Sequence, residues 1–317
     1  MTRQTTMASE QATAVHQMLR DQRSHAAAGS STSLSRAQQR ALAERVVEST
    51  AEPTGVTFDD VTAGRVPAQW ARPDGAVTSK VLVYFHGGGY CYCSMRSHRR
   101  LVGHLAKAGG CHALNVDYRL APEHPHPAAV TDGLAAYLWL LEQGIEPGDI
   151  VVAGDSAGGG IALALLLKAR DEGVPLPAAG VLLSPWVDLA MTAESLTTRA
   201  DVDVRQDPAG TRWCAQQFLA GQDPRDPYAS PLYGDLTDLP PLYIQAGDWD
   251  VLVDDSHRLA DIARRAGIDV RLDLFPEMLH AHQIWAGNMP EADDAVARIG
   301  EYLRQTFAST QREETYE

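Results

Sequence analysis

No stretch of this chain is apolar for long enough to cross a bilayer, which takes about 20 consecutive residues. Cysteine is scarce: Cys91, Cys93, Cys111 and Cys214 are the only four among 317 residues. None forms a Cys-x-x-Cys pair, and no histidine pair at zinc-ligand spacing lies near Cys91-x-Cys93. Reduced, buried thiols are therefore expected, with no metal site. Basic residues are outnumbered, 27 Lys and Arg against 41 Asp and Glu, for a net charge of −14. A nucleic acid or an anionic membrane would be repelled, so neither is expected as a partner. Repeats and low-complexity tracts are missing too, apart from a polar tail from Gln311 that is expected to fray. The N-terminus is polar and carries no apolar core of signal-peptide type, so the expected compartment is the cytoplasm. What remains is the composition of an ordinary globular protein, 44% hydrophobic and long enough to bury a substantial core.

The first 50 residues are poor in strong apolar side chains. Two weak helical stretches stand there, around Val15, Met18 and Leu19 and around Leu42, Val46 and Val47. From Val56 the texture changes to short apolar runs alternating with longer helical patterns. The runs are Val81 to Phe85, Ala113 to Asp117, Ile150 to Ala153, Val181 to Leu183, Leu242 to Ala246 and Val270 to Phe275. Between them Val130, Leu134, Leu138 and Leu141 recur at helical spacing. Strands alternating with helices imply an α/β fold with a mostly parallel sheet covered on both faces. Val56 to Val61 and Val66 to Ala71 read as an antiparallel hairpin opening that sheet. The alternation breaks between Trp186 and about Tyr228, where no strand is expected but Trp213, Phe218 and Leu219 suit a helix. Residues 187–228 therefore read as a cap insertion. With residues 1–50 they are expected to sit above a catalytic domain of 51–186 and 229–317.

Chemistry enters at Gly154-Asp155-Ser156-Ala157-Gly158, between an apolar run and the apolar stretch Ile161 to Leu167. A serine in a sharp strand-to-helix turn points its hydroxyl out of the sheet, and flanking glycines remove clashing side chains. Serine alone is a poor nucleophile and needs a base and an orienting acid. Both follow in the order this fold type uses. Asp250 stands in a loop after Leu242 to Ala246, and His280 in a loop after Val270 to Phe275. His282 competes for the role of base and Asp248 for that of acid. His257 reads as solvated on a helix, and Asp254 and Asp255 as loop braces or helix N-terminal charges. The third part is His86-Gly87-Gly88-Gly89, directly after Val81 to Phe85. Its Gly88 and Gly89 N–H groups, with that of Ala157, suit an oxyanion hole.

With these residues in view the chain resembles the hormone-sensitive-lipase-like esterases, bacterial lipolytic family IV, over most of residues 56–305. The resemblance rests on His86-Gly87-Gly88-Gly89, Asp117-Tyr118-Arg119-Leu120-Ala121-Pro122-Glu123, Gly154 to Gly159, Asp250-Val251-Leu252-Val253-Asp254-Asp255 and Met278-Leu279-His280. It implies an α/β-hydrolase sheet of eight strands, a helical cap and cofactor-free hydrolysis of carboxylic esters. Ser156 would be nucleophile, His280 base and Asp250 acid. Ser184 to Leu189 and Ser230-Pro231-Leu232-Tyr233 look most like the branch containing monoterpene ε-lactone hydrolases. One departure stands out: Cys93 occupies a position that family members often give to glycine.

Tyr90, Trp186, Trp213 and Phe218 are the expected substrate-binding side chains, the last two closing over a short acyl chain; core packing is the alternative for Tyr90 and Trp186. A catalytically silent ligand-binding protein on the same fold and an acyltransferase are the alternatives. The strand Val270 to Phe275 alternates apolar and charged residues and should lie at a sheet edge. An antiparallel copy could set Arg271 near Asp273 of its mate, and related esterases often dimerise through this strand, so a homodimer is expected.

Overall fold

The computed structural model describes residues 8–28 and 34–313. Its centre is a sheet of eight strands: β1 (Val56–Ala63), β2 (Val66–Pro73), β3 (Val77–Phe85), β4 (Cys111–Val116), β5 (Ile150–Asp155), β6 (Ala179–Leu183), β7 (Leu242–Gly247) and β8 (Val270–Phe275). They lie in the order β1-β2-β4-β3-β5-β6-β7-β8. The opening hairpin is antiparallel, β2 also runs antiparallel to β4, and every later pairing is parallel. β5 extends two residues past its apolar run. Gly154 and Asp155 keep their register with Leu182 and Leu183 of β6, which a polar Asp155 conceals in the sequence.

Helices α1 (Glu10–Ala28) and α2 (Arg36–Glu44) precede the sheet; α3 (Met95–Gly109), α4 (Ala128–Glu142) and α5 (Ala157–Asp171) connect its strands. The short α6 (Ser195–Thr198) and α7 (Pro208–Leu219) occupy the insertion, where no strand forms, and α8 (Val253–Arg265) and α9 (Pro290–Glu313) complete the chain. α9 continues past Gln311, where fraying is expected from sequence; residues 314–317 of that tail lie outside the described residues.

Period-two alternation in β3 explains how the sheet is covered. Val81, Val83 and Phe85 join a core with Leu134 of α4 and Ile161 of α5. Leu82 and Tyr84 face the other way, into a core with Leu101 of α3 and Ile299 of α9. α5 is buried almost all round, as its run Ile161 to Leu167 requires. β8 lies at the sheet edge, as its alternation implies. Arg271 Nη2 reaches Asp273 of its own strand at 2.7 Å, and Tyr243 Oη donates to the same carboxylate at 2.7 Å. Asp273 is thus satisfied within the chain.

Candidate active site

The turn from β5 into α5 holds Ser156 with φ 55° and ψ −122°, a conformation that non-glycine residues seldom adopt. Backbone bonds over-determine it. Ser156 N–H donates to Leu183 O at 2.9 Å, and Ser156 O accepts from Gly160 N–H at 3.1 Å and Trp186 N–H at 2.9 Å. The turn packs so closely on β3 that a Cβ at Gly158 would overlap Phe85 O. Glycine there is a steric requirement. The first turn of α5 follows at once, directing its open N–H groups and dipole toward the serine.

Asp250 and His280 come from loops after β7 and β8, both fully buried. His280 Nδ1 lies 2.9 Å from Asp250 Oδ2, while Asp250 Oδ1 accepts from Leu252 N–H at 2.8 Å. A carboxylate only accepts, so the proton sits on Nδ1 and Nε2 keeps its lone pair. Nε2 has no hydrogen-bond partner among the described residues, and His280 lines the same cleft as Ser156. This arrangement suits proton transfer from a serine hydroxyl.

The competing carboxylates are engaged elsewhere, whereas neither ring nitrogen of His282 has a hydrogen-bond partner among the described residues. Asp248 accepts Glu277 N–H at 2.6 Å, and Asp254 accepts Ser195 N–H at 2.8 Å. Asp255 holds the N–H groups of Val187 and Asp188 at 3.0 and 3.1 Å, and burial pushes its carboxyl up to about 8. His282 is buried 4.6 Å from the Phe275 ring, and burial brings it down to about 3. His257 is exposed.

The loop after β3 is anchored by a residue that sequence reasoning left without a role. Asp155 Oδ1 accepts Tyr84 Oη at 2.8 Å and Gly87 N–H at 2.9 Å, and its Oδ2 lies 3.4 Å from His98 Nε2. Burial alone would raise this carboxyl; His98 and Tyr84 outweigh it and hold it well below the usual carboxylate range. Its place inside the serine pentapeptide was the available signal. Gly88 has φ 113°, and a Cβ there would overlap Tyr92 O. The N–H groups of Gly88, Gly89 and Ala157 donate to no other described residue. Cys93 takes φ 67°, the left-handed conformation a glycine would supply, so the loop follows its path without one. His86 supports the loop from within, stacked on Tyr118 at 4.3 Å and brought down to about 3 by burial and then His98.

These parts open on a cleft of about 1530 Å³. Trp186 and Trp213 line it. Tyr90 and Phe218 do not: they stack on each other at 3.8 Å in the buried core, so their reading as substrate contacts is corrected. Tyr90 takes φ 62°, a backbone conformation that sequence spacing does not reveal. Val15, Met18 and Leu19 of α1 and Leu42 of α2 line the cleft instead, a role their weak helical pattern did not specify. All four cysteines are free thiols. Among the described residues, no group of His, Cys, Asp and Glu could hold a metal ion, and no helix is long and apolar enough to cross a membrane.

Comparison with known proteins agrees with this geometry. Residues 82–284 match a family model described as an α/β-hydrolase fold. An acetyl-hydrolase of Streptomyces hygroscopicus is 47% identical over 246 residues, 78% of this chain and 82% of that protein. A crystallised esterase of the bacterial hormone-sensitive lipase family superposes with a TM-score of 0.90 at 41% identity, covering 95% of this chain and all of the other. A second crystallised enzyme, EstE5, soaked with p-nitrophenyl butyrate, gives a TM-score of 0.89 at 39% identity, covering 95% of this chain and 100% of that one.

Proposed function

The chain belongs to the α/β-hydrolase fold family, and we propose that Ser156, His280 and Asp250 carry out its hydrolysis of carboxylic esters. It is a carboxylesterase, as relatives at this identity are an acetyl-hydrolase and esterases. The observation that carries the residue assignment is the 2.9 Å Asp250–His280 contact, which leaves Nε2 as a base in the cleft Ser156 lines.

Ser156 Oγ attacks the ester carbonyl while His280 Nε2 takes its proton; Asp250 holds the imidazole in the required tautomer. The carbonyl oxygen becomes an oxyanion received by the N–H groups of Gly88, Gly89 and Ala157, each donor contributing about 3 kcal/mol. Collapse of this intermediate expels the alcohol, which takes the proton from His280 and leaves an acyl-enzyme. Water, activated by the same base, then releases the acid and restores the serine.

α1, α2 and α7 each supply cleft-lining side chains, which supports residues 1–50 and 187–228 as a two-part cap over 51–186 and 229–317. Trp213 on that cap supports a preference for short acyl chains. Lactones are cyclic esters open to the same attack. The segments that suggest a lactonase branch brace each other instead: Ser230 Oγ accepts Leu189 N–H at 2.7 Å, and Tyr233 Oη donates to Asp188 at 3.0 Å. Lactone opening therefore rests on the shared chemistry and is tested with ε-caprolactone. Four free thiols suit a cytoplasmic compartment. A homodimer through β8 would pair by backbone along that edge, where Leu274 is 40% exposed. Light scattering at one chain mass would remove it.

A fluorophosphonate probe tests the whole assignment. It should label Ser156 alone and be excluded by Ser156→Ala, with p-nitrophenyl acetate and butyrate turned over by the unmodified chain. Labelling that survives the substitution would overturn the assignment.

A further inference from the structure

The cleft wall beside His280 carries positive charge that ester hydrolysis itself does not use. Arg205 lies in the turn leading into α7, half-buried and lining the cleft. Its backbone is held from beneath. The fully buried Asp203 accepts the N–H groups of Arg205 and Gln206 on Oδ1 at 2.9 and 3.0 Å, and that of Val251 on Oδ2 at 3.0 Å. Those bonds tie the turn to the loop that carries Asp250, and they direct this carboxylate to main chain.

The guanidinium rests over the Trp285 ring at 4.8 Å and makes one long hydrogen bond, Nη1 to Ala281 O at 3.4 Å. Among the described residues no carboxylate lies within ion-pair distance of it, whereas the cleft's Arg45 is paired with Glu48 at 3.0 Å. Arg23 of α1 lines the same cleft and gives Nη1 to Asp203 O at 2.9 Å, also without a carboxylate partner. Both guanidiniums line the cleft with most of their donors uncommitted, Arg205 half-buried and Arg23 exposed. Guanidinium presents five N–H donors in a planar fork that fits a carboxylate. Half-burying such a charge with no carboxylate of the described residues at ion-pair distance is costly. Burial pulls Arg205 down from the ordinary arginine value, against Asp155 and Asp203, which oppose the shift.

We propose that Arg205, on a cleft that Arg23 also lines, selects esters that carry a carboxylate near the scissile bond. The inference rests on the carboxylesterase reading and adds a substrate class to it. The carboxylate has two possible sources, the acyl part of a dicarboxylic acid monoester or the alcohol part of a hydroxy acid ester. The chain's overall negative charge makes a local cation the more necessary for drawing in such a substrate.

The test compares mono-p-nitrophenyl succinate with p-nitrophenyl pentanoate, and para-butyryloxybenzoate with phenyl butyrate. Each pair gives a ratio of kcat/KM, charged over neutral, for the acyl and the alcohol arm. In Arg205→Gln the ratio in one arm should fall about tenfold or more, chiefly through KM, in the range of one charged hydrogen bond. Arg205→Lys should recover part of the loss, which a purely structural role would not predict. The arm that falls identifies the source of the carboxylate. Ratios unchanged within twofold in both arms overturn the proposal even if every ester is hydrolysed. Should no neutral ester be turned over, the carboxylesterase reading fails and glutarate binding, followed by titration calorimetry, decides the anion site. Weaker binding to Arg205→Gln than to the unmodified chain supports it, and equal binding overturns it.

Discussion

The sheet side of the cleft, its floor, and its proposed cover are built on different principles. On the floor, the β5–α5 turn and the loop after β3 are determined several times over. Ser156 is held by three backbone hydrogen bonds, Gly158 by contact with Phe85 O, and Gly87 N–H by the buried Asp155. The cover is made of single side chains from α1, α2 and α7, and Met18 and Leu42 are 43% and 56% exposed. A catalytic turn tolerates no displacement, because misplacing reacting atoms by about 1 Å costs roughly a hundredfold in rate. A cover has only to exclude water and shape the acyl end. Substitutions on the floor should therefore change whether the reaction runs, and substitutions on the cover which ester runs fastest.

The largest expected effect is at Ser156. Ser156→Ala should lower kcat/KM for p-nitrophenyl butyrate by about 10⁴-fold or more with the thermal unfolding midpoint unchanged, since no core volume is lost. A tenth of the original activity remaining would point to another nucleophile. Asp250→Asn should cost about 10³-fold or more, because the amide can no longer hold the imidazole tautomer. If Asp248→Asn proved the more severe of the two, the acid would be Asp248.

Gly158→Ala tests whether the floor is rigid. The added methyl meets backbone, which cannot move aside as a side chain would, so about 3 kcal/mol of stability and most of the activity should be lost. Denaturant unfolding reads the first and ester turnover the second. A stable, active Gly158→Ala enzyme would dissolve the contrast.

Two aromatic substitutions sharpen the contrast further. Phe218→Ala should destabilise by about 3–5 kcal/mol with little change in acyl-chain preference, because its ring is buried against Tyr90. Trp213→Ala should do the reverse, shifting the butyrate-to-palmitate ratio severalfold at nearly constant stability. Exchange of these outcomes would mean that Phe218, and not Trp213, meets the substrate.

The smallest effect concerns how the cover is fastened. Arg36 and Arg40 of α2 bind Glu123 at 3.3 and 2.7 Å, and Arg40 with Arg36 brings the Glu123 carboxyl down to about 2. A carboxyl lowered in the fold stabilises above its unfolded value of 4.5, and that contribution is lost as pH falls from there toward about 2. Hydrogen exchange in α2 should therefore quicken over this window, modestly for a pair this exposed. Glu123→Gln should show fast exchange at neutral pH and no further change on acidification.

Most of the floor was legible without coordinates. Strand runs, serine turn, glycine loop and the order Ser156, Asp250, His280 are local patterns, because each loop must carry its own turn chemistry. The sheet edge at β8 was legible too, from alternation along one strand. What escaped involved direction or distance across the fold. Tyr90 follows three glycines and looked free to face substrate, yet it stacks on Phe218, more than a hundred residues away. Arg271 and Asp273 look complementary between copies, and the fold adds that they also pair within the chain, with Tyr243 on the neighbouring strand.

The sequence by itself determined the alternation of strands and helices, the turn that holds Ser156 and the class of chemistry. Those follow from periodicity and from residue types that only particular backbone angles and reactions require. Only tertiary structure decided that Asp155 anchors the glycine loop after β3, that α1 and α2 line the cleft, and that among the described residues Arg205 stands there without a carboxylate partner. The physical reason is that burial and pairing depend on which distant surfaces meet, and a single strand of text records no such meeting.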